Sequence, residues 1–274
     1  MFTSNPFAEL SASIPTVYMQ GYIVVMVLLV MGGTILDMLH KKSAQYFFEN
    51  AKKAQKNATR SVGGGEKVAI ATSVLVKEVL TSGEFDNPRR RLSHLLTMWG
   101  TIIFVVTTAI MIFSPESTSA LLPQLWHIGA LMLAVGGYWF WFAIRADVAA
   151  EGLSPFRLER ADLFILSLLA TSTFALIWSF TGGGVTVFFG LFVLSSTVLF
   201  GGVYWSKFAH MFFKPAAAYQ KKIIMADGSR ENLPPDYDLT DPEVQRKFPD
   251  VPTYMGKNPP NMGLCIKAER ANHY

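Results

Sequence analysis

Charged residues and cysteines are scarce in this chain. Only 16% of the 274 residues are Asp, Glu, Lys or Arg, whereas a soluble domain usually carries about a quarter. The single Cys265 excludes an intrachain disulfide and an iron–sulfur cluster held by this chain alone. Basic residues crowd the ends of apolar runs and are not interleaved with aromatics, which argues against nucleic-acid binding. With 51% hydrophobic residues, the composition predicts a polytopic membrane protein.

Five apolar segments are long enough to cross a hydrocarbon core of about 30 Å, which takes roughly 20 residues. They cover approximately residues 17–39, 92–113, 125–144, 161–180 and 185–213. The fifth segment is long enough to tilt or to protrude from the membrane, and Pro215 lies just beyond it. We therefore predict an all-α fold built on a five-transmembrane-helix bundle.

The distribution of lysine and arginine predicts the orientation. No Lys or Arg occurs before Lys41, between Arg91 and Arg145, or between Arg160 and Lys207. By the positive-inside rule the N-terminus is outside and the C-terminus inside the cytoplasmic (inner) membrane. The predicted divisions are a periplasmic N-terminus with the first span (1–39), a cytoplasmic segment (40–91), a four-helix transmembrane core (92–213) and a cytoplasmic tail (214–274).

Two parts of the chain lie outside the predicted spans. Segment 40–91 is basic and contains three consecutive glycines at 63–65, so it is predicted to form two surface-lying helices separated by a glycine hinge. The triple glycine lacks the G-K-[ST] ending of a phosphate-binding loop. The tail is proline-rich with too few apolar residues for a core of its own. It is predicted to be extended, either solvated or docked on a partner.

Two histidines occupy matching positions in the predicted spans. His94 and His210 each lie about one helical turn inside a span, on the cytoplasmic side and next to basic residues. A histidine in lipid is costly without a partner, and haem iron takes axial nitrogens from both faces of its ring, which two facing helices supply. We predict these two as haem iron ligands. The alternative is a structural or interfacial role for each histidine.

Basic residues accompany both histidines. Arg89, Arg90 and Arg91 precede His94, and Lys207 precedes His210. They are candidates to bind haem propionates or a quinone, although they would equally serve as ordinary membrane anchors. His127 opens the third span beside Trp126 at the opposite end. Three roles remain open for it: an interfacial anchor, a quinone contact or a second haem contact.

The surroundings of the two histidines resemble a known family. Residues 207–215, KFAHMFFKP, followed by Tyr219-Gln220-Lys221, are similar to the end of the last helix in the γ subunit of respiratory nitrate reductase. The R-x-x-x-H spacing of Arg90 and His94 is similar to the membrane subunits of heterodisulfide reductase and of the Qmo complex. This resemblance covers roughly residues 17–222 and implies a membrane cytochrome b that carries haem b.

A narrower resemblance rests on three other stretches. Residues 145–164, together with 5–10 and 63–66, resemble the AprM family of membrane proteins, which is associated with the dissimilatory adenylylsulfate reductase of sulfur oxidisers. This likeness implies a cytoplasmic partner, the two-subunit flavin and iron–sulfur enzyme adenylylsulfate reductase. It also implies a role in sulfur metabolism.

The sequence departs from the nitrate reductase pattern at two positions. Where that family has a second pair of histidines, this chain has Phe104 and Phe192, and phenylalanine cannot ligate iron. The resemblance therefore implies a single haem b on the cytoplasmic side. It implies electron transfer between the soluble enzyme and quinone in the bilayer, with no enzymatic activity in this chain on its own. The alternative is a haem-free membrane anchor that only recruits the soluble enzyme.

Overall fold

In a computed structural model, the structure describes residues 2–40, 42–83, 85, 87–115, 119–145, 156, 158–205, 210–233 and 241–247. Every regular element in these ranges is a helix, which confirms the all-α prediction. The α-helices are α1 (Pro6–Leu10), α2 (Thr16–His40), α3 (Ser43–Asn57), α4 (Gly64–Ser73), α5 (Pro88–Phe113), α6 (Leu121–Trp139), α7 (Leu163–Phe180), α8 (Val187–Gly201), α9 (His210–Ala226) and α10 (Pro242–Lys247). Short 3-10 or π-helical stretches adjoin four of them: Val74–Leu80 after α4, Phe140–Arg145 after α6, Arg160–Asp162 before α7 and Val203–Trp205 after α8.

Within the part of the chain that the structure describes, four helices are long and apolar enough to cross a membrane. They are α2, α5, α6 with its extension to Arg145, and α7. These helices coincide with the first four apolar segments of the sequence, because an uninterrupted run of about 20 apolar residues satisfies its backbone polar groups only as a helix in lipid.

The sequence predicted one continuous helix over the fifth apolar segment, but the structure divides it. The α8 helix has 15 residues, a length of about 22 Å at 1.5 Å per residue. It ends at Gly201, a 3-10 turn follows at Val203–Trp205, and α9 begins at His210. The predicted helix end near residue 213, before Pro215, is also wrong. Pro215 lies inside α9, which continues through it with the loss of one backbone hydrogen bond.

The helices α5 and α6 pack with their backbones in close approach. A Cβ atom on Gly129 would lie 2.7 Å from the backbone nitrogen of Phe104, and one on Gly100 would lie 2.6 Å from that of Leu133. The Ser93 hydroxyl donates a hydrogen bond of 2.8 Å to the Gly136 carbonyl. Small residues and a hydroxyl bond between helices are the usual means of helix association in a membrane.

The short helix α1 covers one end of α5. Asn5 caps it, since its side-chain oxygen accepts a bond of 3.0 Å from the Phe7 N–H. The same side chain donates a bond of 3.3 Å to the Met111 carbonyl near the end of α5. Phe7 and Leu10 are buried, so the first residues of the chain are part of the hydrophobic core.

The chain divides into two compact units. One comprises Met1–Lys42 with Val76–Lys214, and the other comprises Ser43–Leu75 with the chain from Pro215 onward. In the second unit Gln220 donates a bond of 2.8 Å to the Phe47 carbonyl, and the Thr59 N–H donates one of 2.9 Å to the Asp227 carbonyl. Residues 43–75 of the predicted 40–91 segment therefore share a unit with the chain after Lys214, whereas residues 76–91 belong to the first unit.

The two outer segments also differ in detail from their predicted forms. The 40–91 segment does contain two helices, α3 and α4, but Gly64 and Gly65 belong to α4 and only Gly63 precedes it. The tail is not extended over its first part, because α9 continues to Ala226. Residues 248–274, with the rest of the tail prediction, lie outside the described residues.

Candidate functional site

The candidate site begins at the first turns of α5. Asn87 caps this helix, its side-chain oxygen accepting a bond of 2.9 Å from the Arg89 N–H, and Pro88 takes the first helical position. Arg89, Arg90 and Arg91 therefore lie in the first turn. A helix N-terminus favours negative charge, so the helix itself does not favour three arginines there.

His94 lies in the second turn and contacts the loop before α5. Its Nδ1 atom is 2.8 Å from the Ser82 hydroxyl oxygen, a hydrogen-bond distance. Its ring centroid is 4.9 Å from that of Phe85. Ser82 is fully buried and has a φ of 49°, a left-handed conformation that costs energy for a residue other than glycine.

The loop that carries Ser82 is held by side chains of α5. Arg91 donates from Nε to the Thr81 carbonyl at 2.8 Å, and the Trp99 indole donates to the Leu80 carbonyl at 3.2 Å. The Gly83 N–H also donates to the Lys77 carbonyl at 2.7 Å. These bonds fix the backbone on both sides of Ser82, which accounts for its persistence in a strained conformation.

The bond to Ser82 determines which nitrogen of His94 can bind a metal. Because Nδ1 is engaged by the hydroxyl, a metal would be bound through Nε2. Metal-binding histidines commonly have their other ring nitrogen fixed by a hydrogen-bond partner, which sets the tautomer and the ring orientation. Ser82 is a residue that the sequence had not indicated.

The second predicted ligand is only partly described. His210 is the first residue of α9, but its side chain and the whole of Lys207 lie outside the described residues. Lys214 follows His210 by four residues in α9. Its Nζ atom is 5.5 Å from the Phe85 ring centroid, and Phe85 packs on His94. Lys214 of α9 and His94 of α5 therefore lie beside the same Phe85 ring.

The two phenylalanines at the positions compared with histidines of nitrate reductase are core residues. Phe104 and Phe192 are both buried, and their ring centroids are 6.2 Å apart. Phe104 also contacts Trp126 at 5.2 Å, and Phe192 stacks on Trp178 at 5.9 Å. Aromatic side chains fill the space between these positions.

His127 is buried at the other end of the bundle with both ring nitrogens in hydrogen bonds. Nδ1 donates to the Pro123 carbonyl at 2.7 Å, which can only accept, so Nε2 accepts a bond of 2.7 Å from the Ser179 hydroxyl. The ring also contacts Phe2 and Phe180. A haem at His127 would require one of these two bonds to break. Ser179 also lines a cleft with a volume of about 210 Å³.

A buried ion pair joins the two ends of the loop between α6 and α7. Arg145 and Asp162 form a two-pronged bond, with Nε 3.1 Å from one carboxylate oxygen. The Arg145 guanidinium also lies 4.1 Å from the Trp141 ring centroid. Both charged residues belong to the stretch that resembles the AprM family. The sequence had placed Arg145 only as a basic residue at the end of a span.

A second carboxylate lies within the first span. Asp37 on α2 is 1% exposed. Gly33, four residues before Asp37, packs against Val203. The ring of His40, three residues after Asp37, has its centroid 5.7 Å from that of Tyr204. Asp37 therefore lies on the face of α2 that meets the 3-10 turn leading to α9. The sequence pattern gave no indication of this residue, because one carboxylate near a span end does not alter the hydropathy of the run.

Within the described residues, no group of three or more His, Cys, Asp or Glu side chains could hold a metal ion. A b-type haem needs only two axial nitrogens from the protein. Comparison with protein families, with curated proteins and with solved structures gave no match.

Proposed function

We propose that the chain is a membrane-embedded b-type cytochrome that binds one haem b between His94 and His210. The supporting observation is the surroundings of His94: Nδ1 is engaged by buried Ser82, and the His94 ring packs on Phe85, which also lies beside Lys214 of α9. Haem would supply one-electron transfer when bound. Ser82 would orient the His94 ring, and Arg89, Arg90, Arg91 and Lys207 would neutralise propionates or contact a quinone.

The proposed topology keeps five membrane crossings. The α8 helix alone is shorter than a 30 Å core, so the fifth crossing would need the residues after Gly202 as well. With the N-terminus outside, His94 and His210 both lie towards the cytoplasm of the inner membrane. The basic regions supply the support for this orientation, since they alternate with connections that contain no lysine or arginine.

The proposed partners are a soluble redox enzyme and quinone. The resemblance of residues 145–164 to the AprM family favours adenylylsulfate reductase on the cytoplasmic face. The buried Arg145–Asp162 ion pair holds the two ends of the loop between α6 and α7 together. The enzyme would exchange electrons with the haem, and the haem with quinone. This chain would be the electron-transfer subunit of an oxidoreductase complex in sulfur metabolism and would have no catalytic residues.

A haem assay on histidine variants tests the proposal. The purified protein should show one b haem in a pyridine haemochrome assay, and His94→Ala and His210→Ala should each lose the Soret band while the chain stays in the membrane. His40→Ala is the matched control, because His40 ends a span and contacts Tyr204. Full haem content in both ligand variants would reject the assignment. A wild-type protein without haem would favour the haem-free anchor.

A further inference from the structure

The helix α3 follows the first membrane-crossing helix almost directly. The α2 helix ends at His40 and α3 begins at Ser43. Between them Lys42 has a φ of 53°, the left-handed conformation that commonly ends a helix and redirects the chain. If α2 crosses the membrane, so short a connection keeps the start of α3 at the level of the lipid headgroups.

One face of α3 is used inside its own compact unit. Ala54 is buried, and the Phe47 carbonyl accepts the bond from Gln220. The Asn50 side chain accepts a bond of 2.9 Å from Asn232. These residues recur at helical spacing and define the inner face of α3.

The opposite face combines an exposed aromatic ring with lysines. Phe48, Lys52 and Lys56 follow one another at four-residue spacing and so lie along one line of the helix. All three are exposed, and Phe48 is 62% exposed. We call these three residues the outer stripe. Glu49, Lys53 and Tyr46 lie beside it and are also exposed, and the Glu49 carboxylate accepts a bond of 2.8 Å from Gln45. Lysines outnumber the acidic residue on this side of the helix.

We propose that the outer stripe lies on the membrane surface and binds anionic phospholipid headgroups. Helices with lysines and an aromatic ring on the outward side bind in the headgroup region, with the ring at the acyl boundary. Lysine clusters next to a span are attracted to anionic lipid. A protein partner fits less well, because lysine is depleted from protein interfaces and arginine enriched, and α3 contains lysine but no arginine. This proposal requires α2 to cross the membrane but does not depend on haem.

A fluorescent label beside the outer stripe tests the proposal in the full-length protein. The label would be an environment-sensitive fluorophore on Gln55→Cys in a Cys265→Ser background. Gln55 is exposed and lies seven residues after Phe48, hence on the same side of the helix. The protein would be reconstituted into nanodiscs of phosphatidylcholine, with or without phosphatidylglycerol. Emission should rise and shift to the blue when phosphatidylglycerol is present.

Charge variants identify the residues responsible. Lys52→Glu with Lys56→Glu should abolish the effect of phosphatidylglycerol, since each lysine near an anionic surface changes the ratio of bound to unbound helix by about five-fold. Lys67→Glu with Lys77→Glu makes the same charge change at other exposed lysines and should leave the effect intact. The proposal fails if phosphatidylglycerol has no effect or if both double variants abolish it equally. It also fails if emission changes only when the soluble enzyme is added, which would make the stripe a protein-binding surface.

Discussion

At the scale of single residues, the candidate site depends on the contact between the Ser82 hydroxyl and Nδ1 of His94. A histidine next to three arginines at the start of an apolar run is visible in the sequence. Ser82 is not, because it precedes His94 by 12 residues across an irregular loop. Its position depends on a left-handed backbone conformation that serine rarely adopts. Hydrogen bonds made across such loops follow no periodicity, so no pattern of residues predicts them.

Removal of the Ser82 hydroxyl should weaken haem binding without removing a ligand. Loss of a hydrogen-bond partner of a metal-binding histidine typically costs about 10- to 100-fold in affinity. Ser82→Gly is the cleaner variant, because glycine accepts the φ of 49° without strain. We expect lower haem occupancy and a shifted reduction potential by redox titration of the Soret band. Thr81→Ala is the control, since the Thr81 hydroxyl bonds only to the Lys77 carbonyl in its own turn. An unchanged potential and occupancy in Ser82→Gly would contradict a role in positioning His94.

At the scale of helices, hydropathy predicted four membrane-length helices but not the break within the fifth apolar segment. The helices from Thr16–His40 to Leu163–Phe180 follow long apolar runs, since a bilayer selects for both length and composition. The interruption after Gly202 and the continuation of α9 through Pro215 depend on packing against neighbouring residues. Hydropathy also cannot show which face of a helix meets another. The close approach of Gly100 and Gly129 required the structure.

A larger side chain at the contact of α5 and α6 should separate the two helices. In Gly129→Val the new Cβ would meet the Phe104 backbone at 2.7 Å, and overpacking of this kind typically costs about 1–3 kcal/mol or more. Gly21→Val is the matched control, because Gly21 is also inside a membrane-length helix and has nothing within 4 Å of a Cβ. Thermal unfolding of the two variants in detergent should show a clearly lower midpoint for Gly129→Val alone. Equal midpoints would mean that the helices do not pack this closely.

At the scale of the whole molecule, the charge distribution predicted the outer segments but not their association. No sequence pattern indicates that residues after Pro215 pack with α3, because the contacts are single polar bonds such as that from Gln220 to the Phe47 carbonyl. Thr59 likewise bonds to the Asp227 carbonyl through its backbone. Such bonds depend on where two distant segments meet. The first part of the tail therefore belongs to a folded unit, and the part beyond it is the better candidate for binding a partner.

Truncation of the chain after Leu233 tests the role of that remaining tail. This cut keeps α9 and the bonds of Gln220 and Asp227, so the second unit should persist. We expect the haem spectrum to be unchanged and adenylylsulfate reductase to be released from the membranes, measured by co-sedimentation. A truncation after Tyr219 provides the comparison, because it removes both bonds and should lower stability as well. If the enzyme sediments equally with the full chain and with the chain ending at Leu233, the tail does not bind it.

The final prediction concerns the membrane depth at which quinone reacts. The Trp126 indole donates to the Thr108 hydroxyl at 2.8 Å, so the neighbouring His127 lies at the level of Thr108 on α5. Thr108 is fourteen residues from His94, which corresponds to about 20 Å along the helix axis at 1.5 Å per residue. Such a distance is too long for rapid electron transfer without another cofactor. A quinone that reacts with the proposed haem should therefore bind in the half of the membrane that contains His94 and Lys207.

Two substitutions distinguish a quinone site near His94 from one near His127. The measurement is the rate of haem oxidation by a quinone analogue in a stopped-flow experiment. Lys207→Ala should slow the reaction, because it removes a cation at the proposed site. His127→Ala should lower the thermal stability by about 1–3 kcal/mol, since it leaves the buried Ser179 hydroxyl without its partner. It should leave the haem spectrum and the rate of oxidation nearly unchanged. If His127→Ala instead loses quinone-coupled turnover with its haem intact, quinone binds at the outer end of the bundle. In that case a second cofactor must lie between Thr108 and His94.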